Sequence, residues 1–228
     1  MELHVFNTGE ELAEALARRL RAAFREGPTR AVMLAGGRTP LAAYAKLADH
    51  GGVGPDPAWV FLSDERMVPW DSPNSNRGAL LPLLLAARLR AERFIPVITD
   101  LKIEEAAARF SDELDSLLSR GVVVRIGILG LGTDGHTASL FSLDDVARAK
   151  SSHQWAVAVR RPSPPDRIST TPQLFARIAE LLFVVSGPEK AEIAARLVRE
   201  PETLPAGAAT AGHPAVSLWL DRDAAARL

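Results

Sequence analysis

Short apolar runs alternate along this chain with stretches whose apolar residues recur every three or four positions. The runs are His4–Phe6, Ala31–Leu34, Trp59–Leu62, Phe94–Val97, Val122–Leu129, Trp155–Val159, Leu181–Val185 and Val216–Leu220. Each is too short for a helix and most are β-branched or aromatic, so they read as strands. Between the first two, Leu12, Leu16, Leu20 and Phe24 form the buried stripe of a helix. Asn7 or Thr8 can cap it, Glu10 and Glu11 sit in its first turn, and Gly27-Pro28 ends it. The arginines at 18, 19, 21 and 25 read as its solvated face. Further helices are expected over Leu41–Asp49, from Ser75 or Asn76 to Leu89, and over Ile103–Leu118, Pro172–Ile178 and Ala191–Arg199. Leu143–Lys150 fits no single pattern, Leu204–Gly207 reads as a loop, and Asp221 caps a terminal helical turn. Strand follows helix nearly throughout, with no repeat, low-complexity tract or linker. The fold class is therefore α/β: a doubly wound, mainly parallel sheet flanked by helices, one domain over residues 1–228.

The longest of these strands, VVVRIGIL at 122–129, is almost wholly apolar and empties into GLGTDGHTASLF at 130–141. A run apolar on both faces is a central strand of a parallel sheet, and ligands bind beyond the carboxyl ends of such strands. Gly130, Gly132 and Gly135 let the backbone turn sharply and approach a ligand. His136 is the one group there that titrates near neutrality, so it is the natural proton carrier, with Asp134 close enough to orient it or to bind substrate. The same residues match G-x-G-x-x-G, the dinucleotide fingerprint, but in mid-chain rather than in the first βα unit. Arg160 and Arg161 after the next strand would suit a 2′-phosphate.

Other strand ends carry chemistry too. Ala31–Leu34 runs into AGGRTP, where Gly36, Gly37, Arg38 and Thr39 open a helix. Free N–H groups at such a start bind anions, phosphate above all, although Thr39 and Pro40 also suit an ordinary tight turn. Trp59–Leu62 ends in Ser63-Asp64-Glu65-Arg66, three charges that are costly beside a buried strand unless paired or used. RRPSPPDRISTTP, 160–171 with Pro172, reads as a connector, a lid or a phosphate clamp. Lys190, in the first turn of its helix, opposes the helix dipole, which a bound anion would relieve.

Composition narrows the classes. A formal net charge of −1 provides no global basic field for nucleic acid. The absence of Cys excludes disulfides, thiolate nucleophiles and zinc–cysteine sites. The first residues lack a signal-peptide pattern and no long apolar run follows, so a cytoplasmic protein away from membranes is expected. Only four lysines, 46, 102, 150 and 190, stand among many arginines.

Taken in order, LAGGRTP at 34–40, DERMVP with SN between 64 and 76, and GLGTDGHTASLF at 130–141 resemble the glucosamine-6-phosphate isomerase/6-phosphogluconolactonase family. PPDRIS at 164–169, SGPEKA at 186–191 and LPA at 204–206 extend the likeness along nearly the whole chain, and its lactonase branch is the nearer. The resemblance implies hydrolysis of 6-phospho-D-glucono-1,5-lactone to 6-phosphogluconate in the oxidative pentose phosphate pathway. It implies the Rossmann-like fold shared with glucosamine-6-phosphate deaminase and ribose-5-phosphate isomerase, and no metal or organic cofactor. The expected partner is a phosphorylated sugar lactone, with no nucleic acid and no membrane, and the protein a monomer or small homo-oligomer. On this reading His136 is general base toward water and then proton donor to the ring oxygen, Asp134 orients it or binds a sugar hydroxyl, and Arg66 stabilises developing negative charge or holds substrate. Gly36, Gly37, Arg38, Thr39, Asp64, Gly132, Arg161, Arg167 and Lys190 are the expected substrate and phosphate contacts. No G-x-S-x-G elbow is present, which argues against an acyl-enzyme.

The chain departs from the family pattern at three points. Arg38 replaces a usual Ser, Pro162 stands where a Lys is usual with Arg161 beside it, and Ser142 follows Phe141 where Pro is usual. Two alternatives share the fold. A glucosamine-6-phosphate deaminase would carry Asn-Glu-Pro where Ser139-Leu140-Phe141 stands and Tyr in place of Arg66. A non-catalytic sugar-phosphate regulator would normally carry a helix-turn-helix segment, for which no room exists before the first strand.

Overall fold

Seven of the expected strands lie side by side in the computed structural model, which describes residues 1–27, 29–54 and 58–228. In chain order the strands are β1 Glu2–Phe6, β2 Arg30–Leu34, β3 Trp59–Leu62, β4 Asp64–Arg66, β5 Phe94–Ile95, β6 Val123–Leu129, β7 Ala156–Val159, β8 Arg167–Thr170, β9 Leu181–Val185 and β10 Val216–Asp221. The helices are α1 Gly9–Ala23, α2 Arg38–Asp49, α3 Asn76–Ala86, α4 Ile103–Ser119, α5 Leu143–Ser151, α6 Pro172–Phe175, α7 Ala191–Arg199 and α8 Pro205–Thr210. The large sheet runs β1-β10-β9-β6-β2-β3-β5, and all its pairings are parallel. From β2 the chain winds outward through β3 and β5, then returns to lay β6 on the other side of β2. The strand order therefore reverses between β2 and β6, and a crevice opens at their carboxyl ends.

Strand alternation divides the core in two. Val32, Leu34, Ile126, Ile128, Leu182 and Val184 face α1, α2 and α3, where Leu12, Leu16, Leu20, Tyr44 and Leu80 meet them. Met33, Leu129, Leu181 and Phe183 face the other way, onto Phe110 and Leu114 of α4 and Ile193 of α7. Both sides of the central strands are thus dry, which is why these runs carry so few polar residues.

Several elements differ from the sequence reading. The 155–159 strand does not join the large sheet. It forms a three-stranded antiparallel sheet, β4-β8-β7, with two segments read as a loop and a strand end. Asp64–Arg66 and Arg167–Thr170 lack an apolar run because their pairing, not burial of apolar side chains, makes them strands. The fourth run, Phe94–Val97, is cut to Phe94–Ile95, since Pro96 has no N–H for the ladder. Leu143–Ser151 is a helix, closed by a capping box between Ser142 and Asp145. Pro172 opens only one turn, α6, and the expected 204–207 loop is α8, with Pro205 in its first turn. Thr8 is the cap of α1, accepting from the Glu11 N–H at 3.1 Å, and Asp221 caps the final turn through the Ala224 N–H at 2.8 Å. Gly27 has a φ of 82° beyond α1, while Pro28 lies outside the described residues.

Candidate active site

A cavity of about 690 Å³ fills the crevice, with walls from the ends of β2, β3, β6 and β9 and from the small sheet. Its first wall is the turn after β6. The Gly132 N–H reaches the His136 carbonyl at 2.8 Å, and the Gly135 N–H reaches the Gly132 carbonyl at 3.0 Å. This tight loop folds the Asp134 and His136 side chains over Gly132. A Cβ there would lie 2.2 Å from His136 Nδ1 and 2.4 Å from Asp134 Oδ1, so only glycine fits. His136 Nδ1 and Asp134 Oδ1 are 2.5 Å apart, and the His136 N–H also points at that oxygen, at 3.3 Å. Burial pushes the Asp134 carboxyl up, but the imidazole and these hydrogen bonds outweigh it and hold the group below its ordinary value. An ionised carboxylate only accepts, so Nδ1 carries a proton and Nε2 is the ring nitrogen left to exchange one with a ligand. Among the described residues no protein group bonds Nε2, and His136 lines the cavity while Asp134 stands behind it.

The second wall is the turn after β2. α2 has Gly37 at its cap position and no side-chain cap, so the first-turn N–H groups at Gly37, Arg38 and Thr39 are left to solvent or a ligand at the cavity edge. Gly36 is demanded by Asn76, whose Oδ1 would meet a Cβ at 2.1 Å. Arg38 is almost fully exposed and lies 3.9 Å from Glu189. Lys190 comes in from the start of α7 and donates to the Leu131 carbonyl at 2.7 Å. Burial holds its ammonium below the ordinary lysine value, against the pull of Glu189 and Asp134 and helped by the Arg38 charge.

The third wall is the small sheet. Alternation along β4 turns Asp64 and Arg66 to the cavity and Glu65 away from it. Asp64 is buried yet satisfied, accepting from Ser139 Oγ at 2.6 Å and Ser63 Oγ at 3.2 Å. Glu65 turns to the start of α3 and accepts from the N–H groups of Arg66, Asn76 and Arg77 at 2.7, 2.8 and 2.7 Å. Burial nevertheless raises its pKa. Arg66 faces Arg167 across the β4–β8 register. Burial, then the Arg66 charge, lower the Arg167 pKa, and Arg66 Nε is buried without a partner among the described residues. Like charges in facing positions are unfavourable, and an anionic oxygen between them would reverse the sign.

The expected contacts thus divide. Gly36, Gly37, Arg38, Thr39, Asp64, Arg66, Gly132, His136, Arg167 and Lys190 line one cavity. Asp134 and Arg161 do not: Asp134 backs His136, and Arg161 lies over the Phe141 ring, 3.6 Å from its centroid. The sequence reading gave no substrate role to Ser63, Ser139, Phe141 and Ser186, which also line the cavity. Ser139 and Phe141 stood inside the His136 stretch, but nothing in their spacing marked them. Among the described residues no group of three or more His, Cys, Asp or Glu side chains is arranged to hold a metal ion. No helix there is long and apolar enough to cross a membrane.

Comparison with known proteins fits this geometry. A family model described as glucosamine-6-phosphate isomerases/6-phosphogluconolactonase matches residues 7–219. A 6-phosphogluconolactonase of Pseudomonas putida is 34% identical over 183 residues, covering 78% of this chain and 74% of that one. The crystal structure of a 6-phosphogluconolactonase from Thermotoga maritima matches at a TM-score of 0.81 and 27% identity, covering 96% of this chain and 98% of the other. A monomeric glucosamine-6-phosphate deaminase matches over all of both chains at a TM-score of 0.79 and 23% identity, a likeness of fold alone.

Proposed function

This chain belongs to the glucosamine-6-phosphate isomerase/6-phosphogluconolactonase family, and within it we propose that the protein hydrolyses 6-phospho-D-glucono-1,5-lactone to 6-phosphogluconate. The observation that carries the reading is the Asp134–His136 pair, 2.5 Å apart, on the wall of a cavity whose other walls supply cations and open helix N–H groups. Such a site suits an anionic substrate with one centre needing proton transfer.

The residues divide the work. The α2 N-terminus, Thr39 and Lys190 take the phosphate, with Arg38 at the rim. His136 Nε2 removes a proton from water as its oxygen bonds to the lactone carbonyl carbon. The carbonyl electron pair moves to its oxygen, and Arg66 with Arg167 stabilises that charge. When the pair returns, the bond to the ring oxygen breaks, and imidazolium gives its proton to that oxygen. Asp134 keeps Nδ1 protonated throughout, so Nε2 alone shuttles. The product acid then ionises. The reading carries with it a cytoplasmic protein acting on a small molecule, without nucleic acid, as a monomer or small homo-oligomer.

The test generates the lactone in place with glucose-6-phosphate dehydrogenase and follows its loss against an enzyme-free blank. Loss well above the blank, abolished in His136→Ala, is the expected result. Loss at the blank rate would overturn the lactonase reading and send the search to glucosamine 6-phosphate, for which the family model also stands.

A further inference from the structure

We infer that Arg161 and Phe141 are positioning residues for His136: the guanidinium clamps the phenyl ring, and the ring fixes the plane of the imidazole. The inference rests on the lactonase reading for what His136 does there. The Phe141 centroid is 4.6 Å from that of His136, with the rings tilted by 49°. The Arg161 guanidinium carbon lies 3.6 Å from the Phe141 centroid. Other cation–ring pairs among the described residues span 4.9 to 5.9 Å, so this is the closest stack of its kind there. Arg161 forms no ion pair within the described residues, whereas neighbouring Arg160 reaches both Glu104 and Asp166.

The backbone on both sides of the stack is tied down. The Arg161 N–H donates to Asp166 Oδ1 at 2.8 Å. The Phe141 N–H donates to Asp145 Oδ2 at 3.1 Å, and that oxygen also closes the Ser142 capping box of α5. Ser142, where the family usually has proline, therefore helps to seat Phe141. A ring contact is needed because the Asp134 hydrogen bond holds the imidazole at one atom only. With the covalent bond at Cγ, that fixes one edge of the ring, and correlated changes of the two side-chain torsions can still pivot the far edge and swing Nε2 away from an attacking water. Displacement on the order of 1 Å costs about 100-fold in rate. Phe141 blocks the pivot from the cavity side, and Arg161 keeps Phe141 in place from outside the cavity.

Steady-state kinetics on the phosphorylated lactone separate this role from phosphate binding. Arg161→Ala and Phe141→Leu should each lower kcat about tenfold with KM nearly unchanged. Arg161→Lys should behave as Arg161→Ala, because an ammonium keeps the charge and loses the planar stack. The double variant should be no slower than Phe141→Leu alone. A raised KM with kcat intact, rescue by Lys, or losses that multiply would each overturn the proposal. A second readout needs no turnover: the His136 Cε1–H resonance, recorded at alkaline pH where imidazoles are neutral. It should move in Arg161→Ala as the phenyl ring loosens, while other histidine resonances stay. A fixed resonance would overturn the proposal, whether or not the lactone is the substrate. Wild-type protein inactive on the lactone would defeat the functional reading and leave this second arm to decide the stack.

Discussion

The two sheets of this molecule are built by opposite rules. In the large sheet, β2, β6 and β9 are apolar on both faces and their residues are almost wholly buried. The small sheet is assembled from DER, RIST and AVAV, and its interior includes Asp64, Glu65, Ser169 and Thr170. The first is held by apolar area, at about 25 cal/mol per Å² removed from water. The second is held by specific hydrogen bonds, such as Ser139 Oγ to Asp64 Oδ2 at 2.6 Å and Thr170 Oγ1 to the Ser63 carbonyl at 2.8 Å. A scaffold of the first kind tolerates change in its surface loops. A wall of the second kind does not, since each buried polar group that loses its partner costs about 1–3 kcal/mol. The cavity lies where the two meet, with the proton carrier, Arg38 and Lys190 supplied by large-sheet turns and the facing Arg66 and Arg167 by the small sheet.

The sharpest way to test this division is to remove the proton carrier and leave both sheets intact. His136→Ala should lower kcat by about 10²–10⁴-fold. Its ring is partly exposed and, among the described residues, donates only to the Asp134 carboxylate, so the melting temperature should stay close to that of the parent. Large loss of both would mean that the turn after β6 is a folding element first. The converse is Leu182→Ala in β9, fully buried on the sheet face covered by α1, α2 and α3. It should cost about 2–5 kcal/mol in denaturant unfolding. The surviving folded fraction should keep its KM, because apolar area far from the cavity sets stability and not binding.

Ser139→Ala breaks the seam itself. Its hydroxyl is the shortest donor to the Asp64 carboxylate, and its N–H is held by Ser169 Oγ at 3.1 Å, so it links the β6 turn to both β4 and β8. Loss of the hydroxyl leaves a buried carboxylate oxygen without a donor, and about 1–3 kcal/mol of stability should go with it. Unlike Leu182→Ala, this change should also alter KM, because Asp64 and Ser139 both line the cavity. An unchanged KM would show that the small sheet keeps its geometry without this bond.

The same contrast explains what could be read from the sequence. β2, β6 and β9 announced themselves by composition, because burial on both faces restricts residue type. The turns after them were legible through glycines whose Cβ would collide, Gly36 with Asn76 and Gly132 with His136. The small sheet was hidden. Asp64–Arg66 pairs with Arg167–Thr170 about a hundred residues away, and neither segment has a periodicity that burial imposes. The role of Asp64 was obscured with it, since its donor Ser139 is 75 residues distant. Arg161 was expected at the cavity from charge and loop position, and the structure stacks it on Phe141 instead. Whether it meets substrate or the back of Phe141 depends on a stacking contact that spacing does not encode.

The smallest effects are titrations, and they distinguish the two sheets by sign. Asp134, on the large-sheet turn, has its pKa lowered in the fold. Its contribution is complete above the ordinary value of 3.8 and disappears as pH falls below that value. The carboxylate is 59% exposed, so solvent screening keeps the contribution small. Glu65, on the small sheet, has its pKa raised by burial. Its fold favours the protonated form, so its contribution is complete below 4.5 and declines as pH rises through the elevated folded value. Differences in melting temperature between the parent and single variants isolate each group, because the other carboxylates cancel. The advantage of the parent over Asp134→Asn should shrink below pH 3.8, whereas its standing relative to Glu65→Gln should improve on acidification and level off below pH 4.5. Trends of the same sign would mean that the hydrogen bonds from Arg66, Asn76 and Arg77 outweigh the burial of Glu65. The small sheet would then hold its charge as comfortably as the turn after β6 holds Asp134.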